Sequence, residues 1–234
     1  MKEIQLDQPF CQRINDMYKE YMEVSKRYAT DEALLDRQIT SNSHTKDEAY
    51  FKATLINSFY STRMGADRVY AAAKKIESRK ELIKKIIEYG IQDNLEEITN
   101  FLEKEEEKKT YHPYSFFTKY LAIHRRLLGE KKHDLPIYDS FVEKIIKHSD
   151  LYHKEEFNKY LKANHCTKNF KHYNTLYWTI QYFAQKLTQG DFTDLDHILW
   201  LLGKTIYGGG KTLDDFNSNK DIEDAIKESI GSAE

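Results

Sequence analysis

The chain has few of the residues that interrupt helices, with only three prolines and nine glycines among 234 residues. Nor does it show sustained period-two alternation, so little of it suits a sheet. Cysteine is as scarce: Cys11 and Cys166 stand far apart, which excludes a disulfide framework and a cluster held by four thiolates. The formal net charge is only -2, so no whole-chain field draws the protein to nucleic acid and any attraction must be local. No apolar run approaches the ~20 residues of a membrane span. The opening MKEIQLDQPF lacks a basic stretch followed by an apolar one. These absences lead to the expectation of a cytoplasmic protein without membrane attachment, long enough to bury a core in one large domain or two small lobes.

What is present is helical periodicity. Apolar residues recur at three and four positions over about 11 to 28, 47 to 63, 67 to 77, 79 to 89, 94 to 107, 115 to 128, 140 to 148, 154 to 163, 169 to 188 and 194 to 206, which predicts an all-α fold. Three stripes read as core: Phe51, Leu55 and Phe59; Leu82, Ile83, Ile86 and Ile87; and Phe141, Val142, Ile145 and Ile146. The segment FKHYNTLYWTIQYFAQKL carries Phe170, Tyr173, Tyr177, Ile180 and Leu187 at helical spacing. Packing is the ordinary role of such rings, and base stacking is the alternative.

Charge is uneven. EKEEEKK at 103 to 109 reads as a solvated helix end. From Lys108 to Lys132 seven basic residues (Lys108, Lys109, Lys119, Arg125, Arg126, Lys131, Lys132) face Glu130 alone, which makes either a phosphate-facing patch or a solvated rim. The last stretch, rich in Asn, Asp, Lys and Ser, reads as a weakly held tail.

Several motifs fail on spacing. GKT occurs at 203 to 205 and 210 to 212, but a phosphate loop needs a glycine five positions before its GK pair, where Ile198 and Thr205 stand. His165, Cys166 and His172 lack a fourth metal ligand at a familiar spacing. There is no GxSxG elbow and no dinucleotide fingerprint, so no cofactor or metal is expected.

Two residues in a different pattern stand out. In SFFTKYLAIHRRLLG, 115 to 129, Lys119 shares a face with Ser115, Phe116, Ala122 and Ile123. Burial there would disfavour the ammonium form and make an amine nucleophile available; a snorkelling stem with its charge in water is the plainer reading. In LPIYDSFVEKI, 135 to 145, Asp139 opens a helix, where aspartate is a favoured N-cap. Ser140 and Glu143 stand in the S-x-x-E relation of a capping box, which would release Asp139 for another task. Ten helical steps from Lys119 cover ~15 Å. The following ten residues can span ~33 Å, enough for the chain to return.

With Thr118-Lys119 followed by Pro136-Ile137-Tyr138-Asp139-Ser140-Phe141-Val142, the sequence resembles the helix-hairpin-helix superfamily of DNA glycosylases, the group of endonuclease III and the 8-oxoguanine glycosylases. That family carries a hairpin lysine and, about twenty residues later, a loop reading roughly P-V-D-x-H-V. LINSFYSTRMGADRVYAAAKKI (55 to 76) is similar to its central helix, DNA-facing turn and next helix, and LDHILWLLGK (195 to 204) to a late helix behind the site. The likeness spans about 48 to 205. The hairpin departs from L-P-G-[VI]-G-x-K: Pro113-Tyr114-Ser115-Phe116-Phe117-Thr118-Lys119 has neither glycine, so backbone amides approach a phosphate less easily and other contacts must share the grip. The missing cysteine cluster separates it from endonuclease III.

The resemblance implies base flipping from double-stranded DNA and cleavage of an N-glycosidic bond, without a cofactor. Asp139 would stabilise the oxocarbenium-like transition state and Lys119 would attack the sugar carbon, with AP-lyase activity through a Schiff base. Arg63 or Met64 would fill the gap in the stack, and Ser115, Thr118, Arg125, Arg126, Lys131 and Lys132 would meet DNA. A middle lobe of about 45 to 130 would face a second lobe from 1 to 44 and 131 to 234, with the site in a cleft between them, in a monomer. Oxidised purines and hypermodified phage pyrimidines are the two expected substrate classes, one for repair and one for antiviral defence. A non-catalytic DNA-binding module and a helical protein-interaction domain are the alternatives.

Overall fold

The computed structural model describes residues 3–24, 26–59, 64–90, 95–103, 114–128, 135–207 and 224. Among the described residues there are twelve helices and no strand: α1 Gln8–Val24, α2 Lys26–Gln38, α3 Lys46–Phe59, α4 Ala66–Ser78, α5 Lys80–Tyr89, α6 Leu95–Glu103, α7 Tyr114–Leu128, α8 Ser140–His148, α9 Asp150–His153, α10 Glu155–Ala163, α11 Tyr173–Leu187 and α12 Phe192–Tyr207. The fold is all-α. No described helix is long and apolar enough to cross a membrane.

The chain divides into two compact units, Met1–Ala29 with Asp139–Phe170 and Thr175–Glu234, and Thr30–Tyr138 with Lys171–Asn174. These bounds differ from a division at 45 and 130 because the flanking segments are held by side chains of the second unit. Lys52 of α3 donates to the carbonyls of Ser41 (2.7 Å) and Ser43 (2.6 Å), and the main chain of Tyr138 is hydrogen-bonded to α7.

In the second unit α7 is the central helix, packed against α3, α5 and α6. Every residue from Phe116 to Arg125 is buried, as a helix apolar nearly all round requires. α3 corrects the sequence reading. Its buried face is Ala49, Lys52, Ala53 and Ile56, whereas Phe51 is 47% exposed. α4 presents Ala72 and Ala73 among its buried residues, and α3 and α4 make extensive contact. Small side chains let the two helices approach, so volume rather than hydrophobicity selects the packed face. α5 buries Ile83, Ile86 and Ile87 as its stripe predicts.

In the first unit α12 packs against α1 and α8. The N-terminal segment is tied to the α8–α9 junction: the Ile4 amide donates to the His148 carbonyl (2.7 Å), the Asp150 amide to the Ile4 carbonyl (2.9 Å), and the Leu6 amide to Asp150 Oδ1 (3.0 Å). Phe170, Tyr173, Tyr177, Ile180, Tyr182 and Leu187 are buried, so the aromatic pattern around α11 is packing.

The helix expected over 11 to 28 is two helices, and α2 extends to Gln38. Leu35 is buried in α2 while Leu34 is exposed, a stripe too thin to register as amphipathic. The four-residue α9 is likewise too short for its period to show.

Candidate active site

Lys119 lies in the second turn of α7 and is 8% exposed, so burial prevails over snorkelling. The two hydroxyls beside it hold the segment that leads to Asp139. Ser115 Oγ donates to the Tyr138 carbonyl (2.9 Å), and the Tyr138 amide donates to Thr118 Oγ1 (3.0 Å). Thr118 in turn donates to the Ser115 carbonyl (3.1 Å), so one α7 turn satisfies both main-chain groups of Tyr138. The rings of Tyr114 and Tyr138 approach to 5.0 Å between centroids. This use of Ser115 and Thr118 corrects their assignment to DNA: Thr118 is 1% exposed, and both hydroxyls serve the protein's own backbone.

Arg125 is corrected for a related reason. It is 7% exposed, and its guanidinium donates to the carbonyls of Ile87 (2.7 Å) and Glu88 (2.8 Å), closing the C-terminal end of α5. Replacing it with Met is expected to lower unfolding free energy by about 1.5–3 kcal/mol, because buried carbonyls lose a charged donor. The slope of log affinity for duplex DNA against log salt should not change. Urea unfolding and a salt titration check both; a shallower slope would restore Arg125 to the phosphate contacts.

α7 also carries a polar cluster that the sequence pattern does not reveal. His44 Nε2 lies 3.1 Å from Asn42 Oδ1 and its Nδ1 2.9 Å from the Tyr120 hydroxyl. Since the amide oxygen only accepts, Nε2 carries the proton and Nδ1 accepts from Tyr120. His124 is fully buried, with Nδ1 2.8 Å from the Tyr120 carbonyl and its ring stacked on Tyr120 at 4.1 Å. Burial first, then the charge of Lys52, pushes His44 down to about 3. Burial also holds His124 well below the ordinary histidine value. Both rings therefore stay neutral in the folded protein, while in the unfolded chain each takes a proton near pH 6.5. Stability is complete above that pH and falls as pH drops through the interval toward about 3. Glu48, held down to about 2 by the hydroxyls of Ser43 and Thr45, loses its contribution only below its ordinary 4.5. The window from pH 6.5 to 4.5 thus isolates the histidines. We expect a loss of about 2 kcal/mol per histidine across it, read from urea midpoints and flattened in the His44→Gln, His124→Gln double variant.

In the first unit, Asp139 is the N-cap of α8: its backbone is extended and Oδ1 accepts from the Phe141 amide at 2.8 Å. The expected capping box is corrected. Ser140 is the first helical residue, and the Glu143 carboxylate reaches Lys147 at 2.5 Å. Asp139, with an extended backbone, leaves its own carboxylate as the nearest acceptor for the first-turn amides. Capping and chemistry are compatible, because the cap fixes the carboxylate's position.

Two residues on, Phe141 enters an aromatic and basic face shared by α8 and α12. Lys204 Nζ lies 5.2 Å from the Phe141 ring centroid and 5.6 Å from that of Trp200, and Lys144 Nζ lies 5.0 Å from Tyr207 and 5.8 Å from Phe141. Tyr18 of α1 stacks on His197 at 4.0 Å and meets Trp200 edge-on at 6.2 Å. Phe141, Trp200, Lys204 and Tyr207 are half-buried and Lys144 is exposed. The close approach depends on Gly203, where an added Cβ would stand 2.5 Å from Phe141 Cβ. The glycine of the first GKT thus serves helix packing.

A family model described as an N-terminal domain matches residues 13–128, just under half of the chain. That region includes Lys119 and ends before Asp139. No curated protein and no solved structure matches the chain.

The remaining expected DNA contacts divide. Met64 is 6% exposed, with its amide and carbonyl bracketed by the Asn57 side-chain amide (2.9 and 3.1 Å), so its placement as an exposed wedge is corrected. Arg126 is half-buried. Arg63, Lys131 and Lys132 lie outside the described residues, as do Lys108 and Lys109. The basic patch from 108 to 132 therefore loses Lys119 and Arg125 to burial. Lys119 belongs to the second unit and Asp139 to the first. Among the described residues no group of three or more His, Cys, Asp or Glu could hold a metal. Phe141, Lys144, Trp200, Lys204 and Tyr207 escaped the sequence reading as a group, since their apolar and basic periodicity reads as packing and solvated rim.

Proposed function

We propose that the protein is a DNA glycosylase that cleaves the N-glycosidic bond of a flipped-out modified base, with an AP-lyase step through Lys119. The observation that carries this reading is the carboxylate of Asp139, fixed by the Phe141 amide at 2.8 Å, at the end of a helix whose next turn joins an aromatic and basic face. A fixed negative charge stabilises positive charge developing on a deoxyribose, and aromatic rings offer planar surfaces to an unstacked base. The burial of Lys119 supports the second half of the reading, because a site that excludes water protects a Schiff base from hydrolysis. The sites of these two residues lie in the order and spacing of the glycosylase motif.

In the reaction, the Lys119 amine, once it has given up a proton, forms a bond to C1′ as the bond to the base breaks and the base leaves with the electron pair, to be protonated. Ring opening gives a Schiff base, loss of a C2′ proton expels the 3′ phosphate, and water then releases the lysine. Arg63, Arg126, Lys131 and Lys132 are the phosphate-facing residues in this account. Borohydride should trap the wild-type protein covalently on an oxidised duplex, and the Lys119→Met variant should give no adduct. Methionine fills a similar volume in an apolar site, so the variant is expected to fold. An adduct that persists without Lys119 would remove it from the chemistry.

A further inference from the structure

We infer that the segment 41–45, between α2 and α3, is an acid-released latch whose bolt is His44: protonation of that ring frees the segment from α5 and α7 while the helices of the second unit stay folded. The inference is independent of the glycosylase reading. Polar contacts to three helices hold the latch closed. Lys52 of α3 donates to the carbonyls of Ser41 (2.7 Å) and Ser43 (2.6 Å), and Glu48 of α3 accepts from the hydroxyls of Ser43 and Thr45. Asn42 donates to the Lys84 carbonyl of α5 (3.4 Å). His44, only 1% exposed, stands between Asn42 Oδ1 at 3.1 Å and the Tyr120 hydroxyl of α7 at 2.9 Å. Ser41 and Thr45 on either side are exposed, so the backbone there already borders water.

The closed latch has no place for a second proton on His44. Nδ1 accepts from Tyr120, so protonating it turns the buried Tyr120 O–H away from its acceptor. Charge opposes it as well: Lys52 from α3 and Lys84 from α5 face the ring, against Glu48 from α3, and Lys84 is itself paired with Glu81 (3.4 Å). His124 of α7 lies 5.3 Å away between ring centroids, fully buried, with Nδ1 on the Tyr120 carbonyl and Nε2 without a partner, so a proton there would be stranded too. Burial, then Lys52, depresses His44 to about 3 in the closed state, whereas the released ring takes its proton near the ordinary 6.5. The closed state is therefore fully favoured above pH 6.5, and below it the open fraction grows about tenfold per pH unit for this one histidine. Glu48 adds to the release only below its ordinary 4.5. His124 sits in the buried run of α7 and gains its proton only when that helix unfolds.

Amide hydrogen exchange, read by NMR between pH 7 and pH 5 and corrected for the pH dependence of exchange in free peptides, separates local release from global unfolding. The reporters are the Thr45 amide, which donates to Glu48 (3.4 Å), and the Ala49 amide, which donates to the Thr45 carbonyl (2.7 Å). Both are expected to exchange faster than the α7 amides at every pH and to lose about 25-fold in protection from pH 7 to pH 5, the dependence of one histidine. The α7 amides, whose exposure hydrates both histidines, should start from higher protection and fall more steeply. In His44→Gln, whose amide can accept from Tyr120 and donate to Asn42 but takes no proton, the loss at Thr45 and Ala49 should vanish. Should that variant fail to fold, His44→Asn supplies the same comparison. Flat protection in the wild type, a loss that persists without His44, or the same protection and slope at Thr45, Ala49 and α7 would overturn the latch.

Discussion

Asp139→Asn is expected to lower base release by about 10²–10³-fold while leaving the fold and duplex binding in place. The size follows from the role assigned to the carboxylate. It is the fixed negative charge nearest the developing oxocarbenium ion in the proposed reaction, and removal of one such electrostatic group from a preorganised site has that order of cost. Asparagine isolates this role from capping. It ranks with aspartate as an N-cap, and its amide oxygen can still accept from the Phe141 amide that now bonds Oδ1 at 2.8 Å. Asp139→Ala removes both roles and should in addition cost about 0.5–2 kcal/mol of stability. Duplex affinity should hold or rise slightly in the asparagine variant, since a negative charge has been taken from a surface proposed to meet phosphate. Single-turnover kinetics, thermal midpoints and anisotropy titrations separate the three quantities. An asparagine variant within about threefold of wild type would mean that Asp139 is a cap and nothing more.

Gly203→Ala is expected to destabilise the first unit by overpacking α8 against α12. In an isolated helix the substitution would be favourable, by about 1 kcal/mol. Here the new Cβ would sit 2.5 Å from Phe141 Cβ and 3.2 and 3.3 Å from the Phe141 carbonyl carbon and Cα, so backbone must move rather than a side-chain tip. Overpacking of this kind costs about 1–3 kcal/mol, which for a chain of this length lowers the thermal midpoint by several degrees, about 2–4 °C per kcal/mol. A catalytic consequence is coupled to it. The residue displaced is Phe141, whose amide positions Asp139, so kcat should fall more than the stability loss accounts for at a temperature where the variant is fully folded. Higher stability in Gly203→Ala would show that α8 and α12 are not this close in solution.

The sequence made the helical class legible because apolar residues at three and four positions survive in nearly every element, and α8 was read at both its ends from Asp139 and the stripe behind it. Where helices pack through small residues the pattern misleads. Phe51 reads as core because it is large and apolar, yet it is 47% exposed and the buried face of α3 is Ala49, Lys52, Ala53 and Ile56. Arg125 and Thr118 were assigned to DNA, and their partners, the carbonyls of Ile87 and Glu88 and the amide of Tyr138, are main-chain groups that no side-chain pattern announces. The His44, Tyr120 and His124 cluster was illegible for the same reason: its members are 76 and 4 residues apart, and only packing joins them. Phe141, Trp200, Lys204 and Lys144 lie on two helices that meet at a glycine, so the face they share exists only once Gly203 has allowed the approach.

The most direct test of the account is mass spectrometry of free bases released by the purified protein from three DNA pools: oxidised, alkylated, and phage DNA with modified cytosines. The proposed glycosylase should release a base from the oxidised or modified-cytosine pool, and Asp139→Asn should abolish that release. Tight duplex binding with no base released from any pool would contradict it and leave a helical DNA-binding module that performs no excision.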